Sequence, residues 1–269
     1  MKSRFLDWGP KRGSERLIKV LFLFGLVVAV GCAPRVGVAA PHDFSHQRVT
    51  HRSAYTTPEI SDEFALVPSE ERLDLTREYF YLHNPSFFEE MTESSGWITM
   101  TPRVIVVHYT AKPTLKETID YFQPNRIASD RAQVAANGDL NVGIQFVVDT
   151  DGRIYRSYPE NAVSRHVIGL NHLSIGIENV GDSDLDMGED GLTWQQLEAN
   201  VSLIRYLIGK YPTIDFVIAH SEYRDLEDPG HPGHDLFFEQ FPAYRTEKVD
   251  PGPRFMRELR KRLKTRGSH

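Results

Sequence analysis

From Trp97 onward the chain alternates short, almost unbroken apolar runs with stretches in which apolar residues recur every three or four positions. The runs at 104–107 (VIVV), 146–148 (FVV), 174–180 (SIGIENV) and 216–219 (FVIA) are rich in β-branched residues. Such continuous runs suit strands of a sheet covered on both faces. Helices are predicted between and after them. Thr114 with Glu117 makes a capping box ahead of Ile119 and Phe122. Thr193 with Gln196 makes another, followed on one face by Leu197, Val201, Ile204 and Ile208. Pro253 stands at a first helical position before Phe255, Met256, Leu259 and Leu263. Asp149-Thr150-Asp151-Gly152 reads as a turn joining strands at 146–149 and 153–155. Strands interleaved with helices predict an α/β domain over residues 96–265.

The texture before this domain is different. Residues 61–95 hold a modest apolar scatter (Phe64, Leu66, Leu73, Tyr79, Phe80, Phe87), which predicts an ordered extension packing on the main domain. Residues 32–60 are polar and irregular and read as a flexible tether, with His42, His46 and His51 solvated rather than forming a metal site. Residues 1–19 carry six basic side chains, and the next fifteen, VLFLFGLVVAVGCAP, carry no charge. That run is short of the roughly 20 residues a spanning helix needs, so 1–31 is expected to be a secretory signal peptide. Cys32 ends the apolar core and, with the residues before it, resembles the lipobox of bacterial lipoproteins, although Ala29 stands where Leu is usual. The resemblance implies lipidation at Cys32, and Ala33 in place of Asp implies the periplasmic side of an outer membrane. Cleavage after Ala40, giving a soluble secreted or periplasmic protein, is the competing reading.

Composition narrows the partners. One cysteine in 269 residues excludes a disulfide framework and a zinc site built on paired thiolates. The formal net charge is −6, and it becomes −10 without the first 31 residues. An acidic body argues against nucleic acid, whose phosphates call for a surplus of Lys and Arg.

Two histidines hold equivalent places: His108 closes the run at 104–107, and His220 closes the run at 216–219. Strand ends in covered sheets are where ligands gather, and an imidazole there needs a polar partner or a metal ion. With no second cysteine, a third ligand should be a carboxylate. Asp228 and Asp250 each open an Asp-Pro-Gly sequence; Lys248 stands two residues before Asp250 and, in an extended segment, on the same side.

VIVVHYT, RHVIGLNHLSIGIENVGD, VIAHSEY and RTEKVDPGPRF, in this order over residues 100–263, resemble the zinc-dependent N-acetylmuramoyl-L-alanine amidases of type 2, relatives of peptidoglycan recognition proteins. The resemblance implies a mixed, mainly parallel sheet flanked by helices, with a zinc groove at the strand ends. It implies one Zn2+ per chain, held by His108, His220 and Asp250. It further implies Glu178 as general base, and Lys248 and His166 as donors to the developing oxygen anion. Peptidoglycan or its muropeptides are the implied substrate, and wall turnover or recycling the implied use. A peptidoglycan-binding lipoprotein without catalysis is the alternative. Ile144 and Gln145 stand where related phage enzymes have a Tyr–His pair. His231 and His234, separated by Pro-Gly, are expected to lie in a loop on the groove's rim rather than to bind a second metal. Arg126, Asn171 and Asn179 are further candidates for substrate contacts.

Overall fold

The computed structural model describes residues 42–50, 55–128, 131–181, 187 and 191–265. The leader, Cys32, Ala40 and His51 lie outside the described residues. In chain order the strands are β1 (Ile60–Ser61), β2 (Thr92–Ser94), β3 (Trp97–Thr99), β4 (Val104–Tyr109), β5 (Phe146–Val148), β6 (Ile154–Arg156), β7 (Ser174–Asn179) and β8 (Phe216–Ala219). The α-helices are α1 (Glu70–His83), α2 (Pro85–Glu90), α3 (Leu115–Phe122), α4 (Ala132–Ala135), α5 (Trp194–Lys210) and α6 (Pro253–Lys264).

Six strands form one sheet in the order β1-β6-β5-β7-β4-β8. Within it only the β5–β6 pair, joined by the Asp149–Gly152 turn, is antiparallel; the other four pairs are parallel. The sheet is therefore mixed and mainly parallel. The capping box predicted at Thr193 starts α5, where Thr193 and Gln196 satisfy each other's backbone N–H; at the start of α3 only half of the predicted box forms, Thr114 Oγ1 accepting from Glu117 N while the Glu117 carboxylate accepts from that hydroxyl. A second, two-stranded sheet pairs β2 with β3 through Ser95 and Gly96, both at positive φ, as a two-residue hairpin turn demands.

Both faces of the central strands are sealed, which removes any alternation from β4: Val104 to Val107 are all fully buried. Ile105, Val107, Ile175 and Ile177 face a core built with α5 and α6 (Leu197, Ile204, Phe255, Leu259). Val104 and Val106 face the other way, against Val167, Leu170 and Tyr223. Side chains alternate along a strand, so His108 belongs to the second face with Val104 and Val106. In β7 the register pairs Val104 with Ser174, Val106 with Gly176 and His108 with Glu178. Glu178 thus stands beside His108 on the same face.

The extension at 61–95 contributes α1, capped by Ser69, whose side chain accepts from Arg72 N. Leu73, Leu75, Tyr79 and Phe80 of α1 enter the α5–α6 core. Three buried polar residues of α1 reach into the loops around the groove. Arg72 Nη2 donates to the carbonyls of Phe122, Gln123 and Pro124, satisfying the open C-terminal end of α3. Tyr79 Oη accepts from Asn171 Nδ2 at 3.0 Å. His83 bonds the Glu239 carboxylate at 2.8 Å and the Asn137 carbonyl at 3.0 Å.

Residues 42–50 differ from the tether that their composition suggests. Gln47 is buried, donates to Asp225 Oδ2 and meets His231 Nε2 at 2.8 Å, while Val49 N donates to the Asp215 carbonyl. A single buried amide side chain with two partners, one of them the buried His231, holds this stretch on the domain, a long-range pairing that local polarity does not reveal.

Candidate metal centre

His108 is the fifth residue of β4, and His220 follows Ala219, the last residue of β8. The register pairs Val107 with Ala219, so the two histidines leave adjacent parallel strands at the same level. Asp250 arrives from the segment before α6, where Ser221 N donates to its carbonyl and fixes the chain beside His220. His108 Nδ1 lies 3.0 Å from His220 Nδ1, His220 Nδ1 lies 3.0 Å from Asp250 Oδ2, and His108 Nδ1 lies 3.4 Å from the same oxygen. The His108 side chain is 3% exposed and that of Asp250 13%.

These residues fit a divalent cation. Donors around a tetrahedral zinc, with bonds of about 2.0–2.1 Å, sit roughly 3.3 Å apart, and the donor set of two imidazoles and a carboxylate is one that zinc takes. Among the described residues, this is the only group of three or more His, Cys, Asp or Glu side chains whose ligand atoms converge in this way. Burial by itself disfavours the Asp250 carboxylate, but the neighbouring His220 holds its pKa well below the ordinary range. Burial lowers the pKa of His220 to about 4, leaving a neutral imidazole with a lone pair to offer.

The other nitrogen of His108 explains His166. Ser174 Oγ donates to the Leu170 carbonyl at 2.8 Å, so its oxygen accepts from His166 Nε2, 3.1 Å away. His166 is neutral, its pKa pushed well down by burial and by the neighbouring His108. Its proton therefore sits on Nε2, and its Nδ1 accepts from His108 Nε2 at 3.1 Å. The chain of donors leaves the lone pair of His108 on Nδ1, facing the other two ligands. In this arrangement the single N–H of His166 is directed at Ser174, and its ring stands behind His108 as a brace. Gly176 makes room for the ring.

Glu178 and Lys248 line the groove that ends at the three donors, together with Tyr121, Arg131 and Thr246; its volume is about 260 Å³. Burial raises the Glu178 pKa to about 7, against the pull of His108, with Asp250 raising it further and Lys248 and Arg131 lowering it. Burial also lowers the Lys248 pKa, with Asp250 opposing the shift, Arg131 adding to it and Glu178 opposing it. A carboxyl and an ammonium, both pushed toward their neutral forms, thus face one groove, which suits proton transfer. Arg131, its guanidinium 5.3 Å from the Tyr121 ring centroid, was not singled out from sequence; no local motif surrounds it.

The other candidates are held by partners of their own. Asp228 closes a turn by accepting from Gly230 N. His231 accepts from Gly233 N and meets Gln47, while His234 Nδ1 meets the Leu226 carbonyl, so the two do not share a ligand. Asn171 accepts from the backbone N–H groups of His166 and Val167 and lines the groove, and Asn179 donates to the His108 carbonyl; both are buried. Arg126 pairs with Glu71 and Asp139 at the surface. Gln145 ties strands together, donating to the Ala162 carbonyl and accepting from Gly176 N.

The sequence profile of the N-acetylmuramoyl-L-alanine amidase family (Amidase_2) matches residues 98–253. This chain belongs to that family. All six residues of the centre and groove singled out from sequence, His108, His166, Glu178, His220, Lys248 and Asp250, fall inside the matched segment. The endolysin of Enterobacteria phage K11 is 33% identical over 100 residues, covering 37% of this chain and 64% of the phage protein. The endolysin of Escherichia phage T7 is 38% identical over 76 residues, covering 28% of this chain and 50% of its own length. The chain therefore spans about half to two thirds of the curated relatives it matches. Among solved structures, the endolysine N-acetylmuramoyl-L-alanine amidase LysCS from Clostridium intestinale is 29% identical, with 51% of this chain and 82% of that chain covered and a TM-score of 0.34.

Proposed function

We propose that this amidase-family chain hydrolyses the amide between N-acetylmuramic acid and L-alanine in peptidoglycan or its fragments, with one zinc ion held by His108, His220 and Asp250. The observation that carries this reading is the convergence of three ligand atoms at the end of a groove that also holds Glu178 and Lys248. When bound, zinc supplies Lewis acidity, polarising the scissile carbonyl and acidifying water. The chain's own groups do the remaining work. Glu178, with a pKa near 7, accepts the proton of the attacking water and passes it to the leaving nitrogen. Lys248 presents an N–H to the carbonyl oxygen as charge builds there. His166 keeps His108 in the tautomer that ligates.

The reading extends to the N-terminus: the chain is processed before Cys32, lipidated there and held on the periplasmic side of an outer membrane, where it serves wall turnover or recycling. Mass analysis of muropeptides after digestion, with and without chelator, tests the activity. Free stem peptide released only by the metal-loaded protein is the expected result. Metal-loaded protein that binds muropeptides and releases no peptide would leave the alternative, a non-catalytic peptidoglycan-binding protein.

A further inference from the structure

The chain is acidic, but α6 is not. Its twelve residues hold six basic side chains and one acidic one, Glu258. The rest of the chain after residue 31 carries 19 basic against 34 acidic side chains. The six cations of α6 divide by face. Arg260 pairs with Glu222, and Arg262 pairs with Glu198 and Glu258, both on the flanks of the domain. Arg257, Lys261 and Lys264 are exposed at i, i+4 and i+7, in line with Arg254 one turn earlier, and opposite the buried Phe255, Met256 and Leu259. A helix whose apolar side is already buried and whose outer side is a row of cations presents charge, not hydrophobic surface, to whatever meets it.

The N-terminal end of the described chain comes in beside this row. His46 lines the same crevice as Gly252, Lys261 and Lys264. His42 is ten residue steps from Cys32, a span that reaches about 36 Å at full extension. A chain tethered to a bilayer at Cys32 can therefore bring α6 to that bilayer.

We propose that the exposed face of α6 docks on anionic lipid headgroups, so that the row of cations and the N-terminal anchor engage one membrane together. A basic patch is one of the signals that act beside a lipid anchor at a membrane surface. The N-terminal part of this idea rests on the Cys32 reading given above; the α6 part stands on the row of cations alone. Each Lys or Arg near an anionic surface strengthens binding about fivefold, and salt screens the attraction.

The test uses the processed chain, residues 32–269, with Cys32→Ser so that no acyl chain contributes. It is sedimented with vesicles of phosphatidylcholine alone or of phosphatidylcholine mixed with phosphatidylglycerol. Binding to the anionic vesicles only, weakened by salt, is expected. The triple variant R257Q/K261Q/K264Q should lose about a hundredfold of that binding while its helical content and its cleavage of soluble muropeptides stay unchanged. A control with the same charge change elsewhere, R77Q/K116Q/R153Q, should bind as the parent does. Equal binding to neutral vesicles, full binding by the α6 variant, or equal loss in the control overturns the proposal. So does binding to soluble polyglutamate but to neither vesicle. Absence of acylation in cells would refute the Cys32 reading and leave the vesicle result untouched.

Discussion

A β-carbon built on Gly176 would lie 2.9 Å from His166 Nδ1 and closer still to Ile144 Cδ1. The glycine is thus the space in which the His166 ring reaches both Ser174 and His108. Gly176→Ala is expected to push the ring off Nε2 of His108 and weaken zinc binding about 10- to 100-fold, the cost of losing a partner behind a ligand. Competition against a chromophoric chelator measures it, and unchanged affinity would refute the orienting role of His166.

Glu178 and His108 face the same groove from paired positions, and their substitutions should separate. Glu178→Gln keeps the three ligand atoms and is expected to bind zinc normally while losing about 10²- to 10⁴-fold in turnover. His108→Ala removes a ligand and should lose the metal itself. Metal content by atomic absorption, set beside muropeptide turnover, distinguishes the two.

Lys248→Met removes an N–H donor without touching the ligands. The expected outcome is a fall of about 10²- to 10³-fold in kcat with little change in KM or zinc content. A change confined to KM would reassign Lys248 to substrate binding.

His172 lies outside the centre, its ring 5.8 Å from that of Phe87, and burial lowers its pKa to about 4. The unfolded chain takes up a proton at this residue near pH 6.5, while the fold resists it until about pH 4. Its contribution to stability is therefore complete above 6.5 and is lost as pH falls toward 4, by up to about 3 kcal/mol. His172→Phe should flatten the difference in urea-unfolding free energy between pH 7 and pH 4 relative to the parent. An identical slope in both proteins would contradict the depressed pKa.

Arg72 is the strongest link between the extension and the groove. Arg72→Leu strands the carbonyls of Phe122, Gln123 and Pro124 at the end of α3 and should cost at least about 3 kcal/mol in urea unfolding. Its effect on zinc affinity should be small, because the ligands come from β4, from the turn after β8 and from the segment before α6.

Much of this architecture could be read from local pattern. The apolar runs that became β4, β5, β7 and β8 were legible because burial on both faces leaves no polar alternation, and the capping boxes marked α3 and α5 at their first turns. The pairing of His108 with His220 was legible as repetition at two strand ends, and Asp250 through the motif around it. What stayed hidden depends on partners far away in sequence. Arg72 and His83 look like surface residues of a weakly apolar segment, and the Tyr79 hydroxyl gives no sign of its partner, until the end of α3, Glu239 and Asn171 are brought to them. The partners of His166 were hidden for the same reason: a histidine ahead of a strand carries no mark of which nitrogen is already committed. Gln47 disguised a packed stretch as a loose one.

The paired register of β4, β7 and β8 sets a rule for how this centre can vary. Inserting one residue within β4 ahead of His108 would rotate the imidazole onto the α5–α6 side and abolish the centre at once. Inserting ten between 228 and 246, where the backbone only has to return to Asp250, need not move a ligand atom. The centre counts residues along its strands and is indifferent to the length of the excursions between them, so relatives can grow new rims around an unchanged trio.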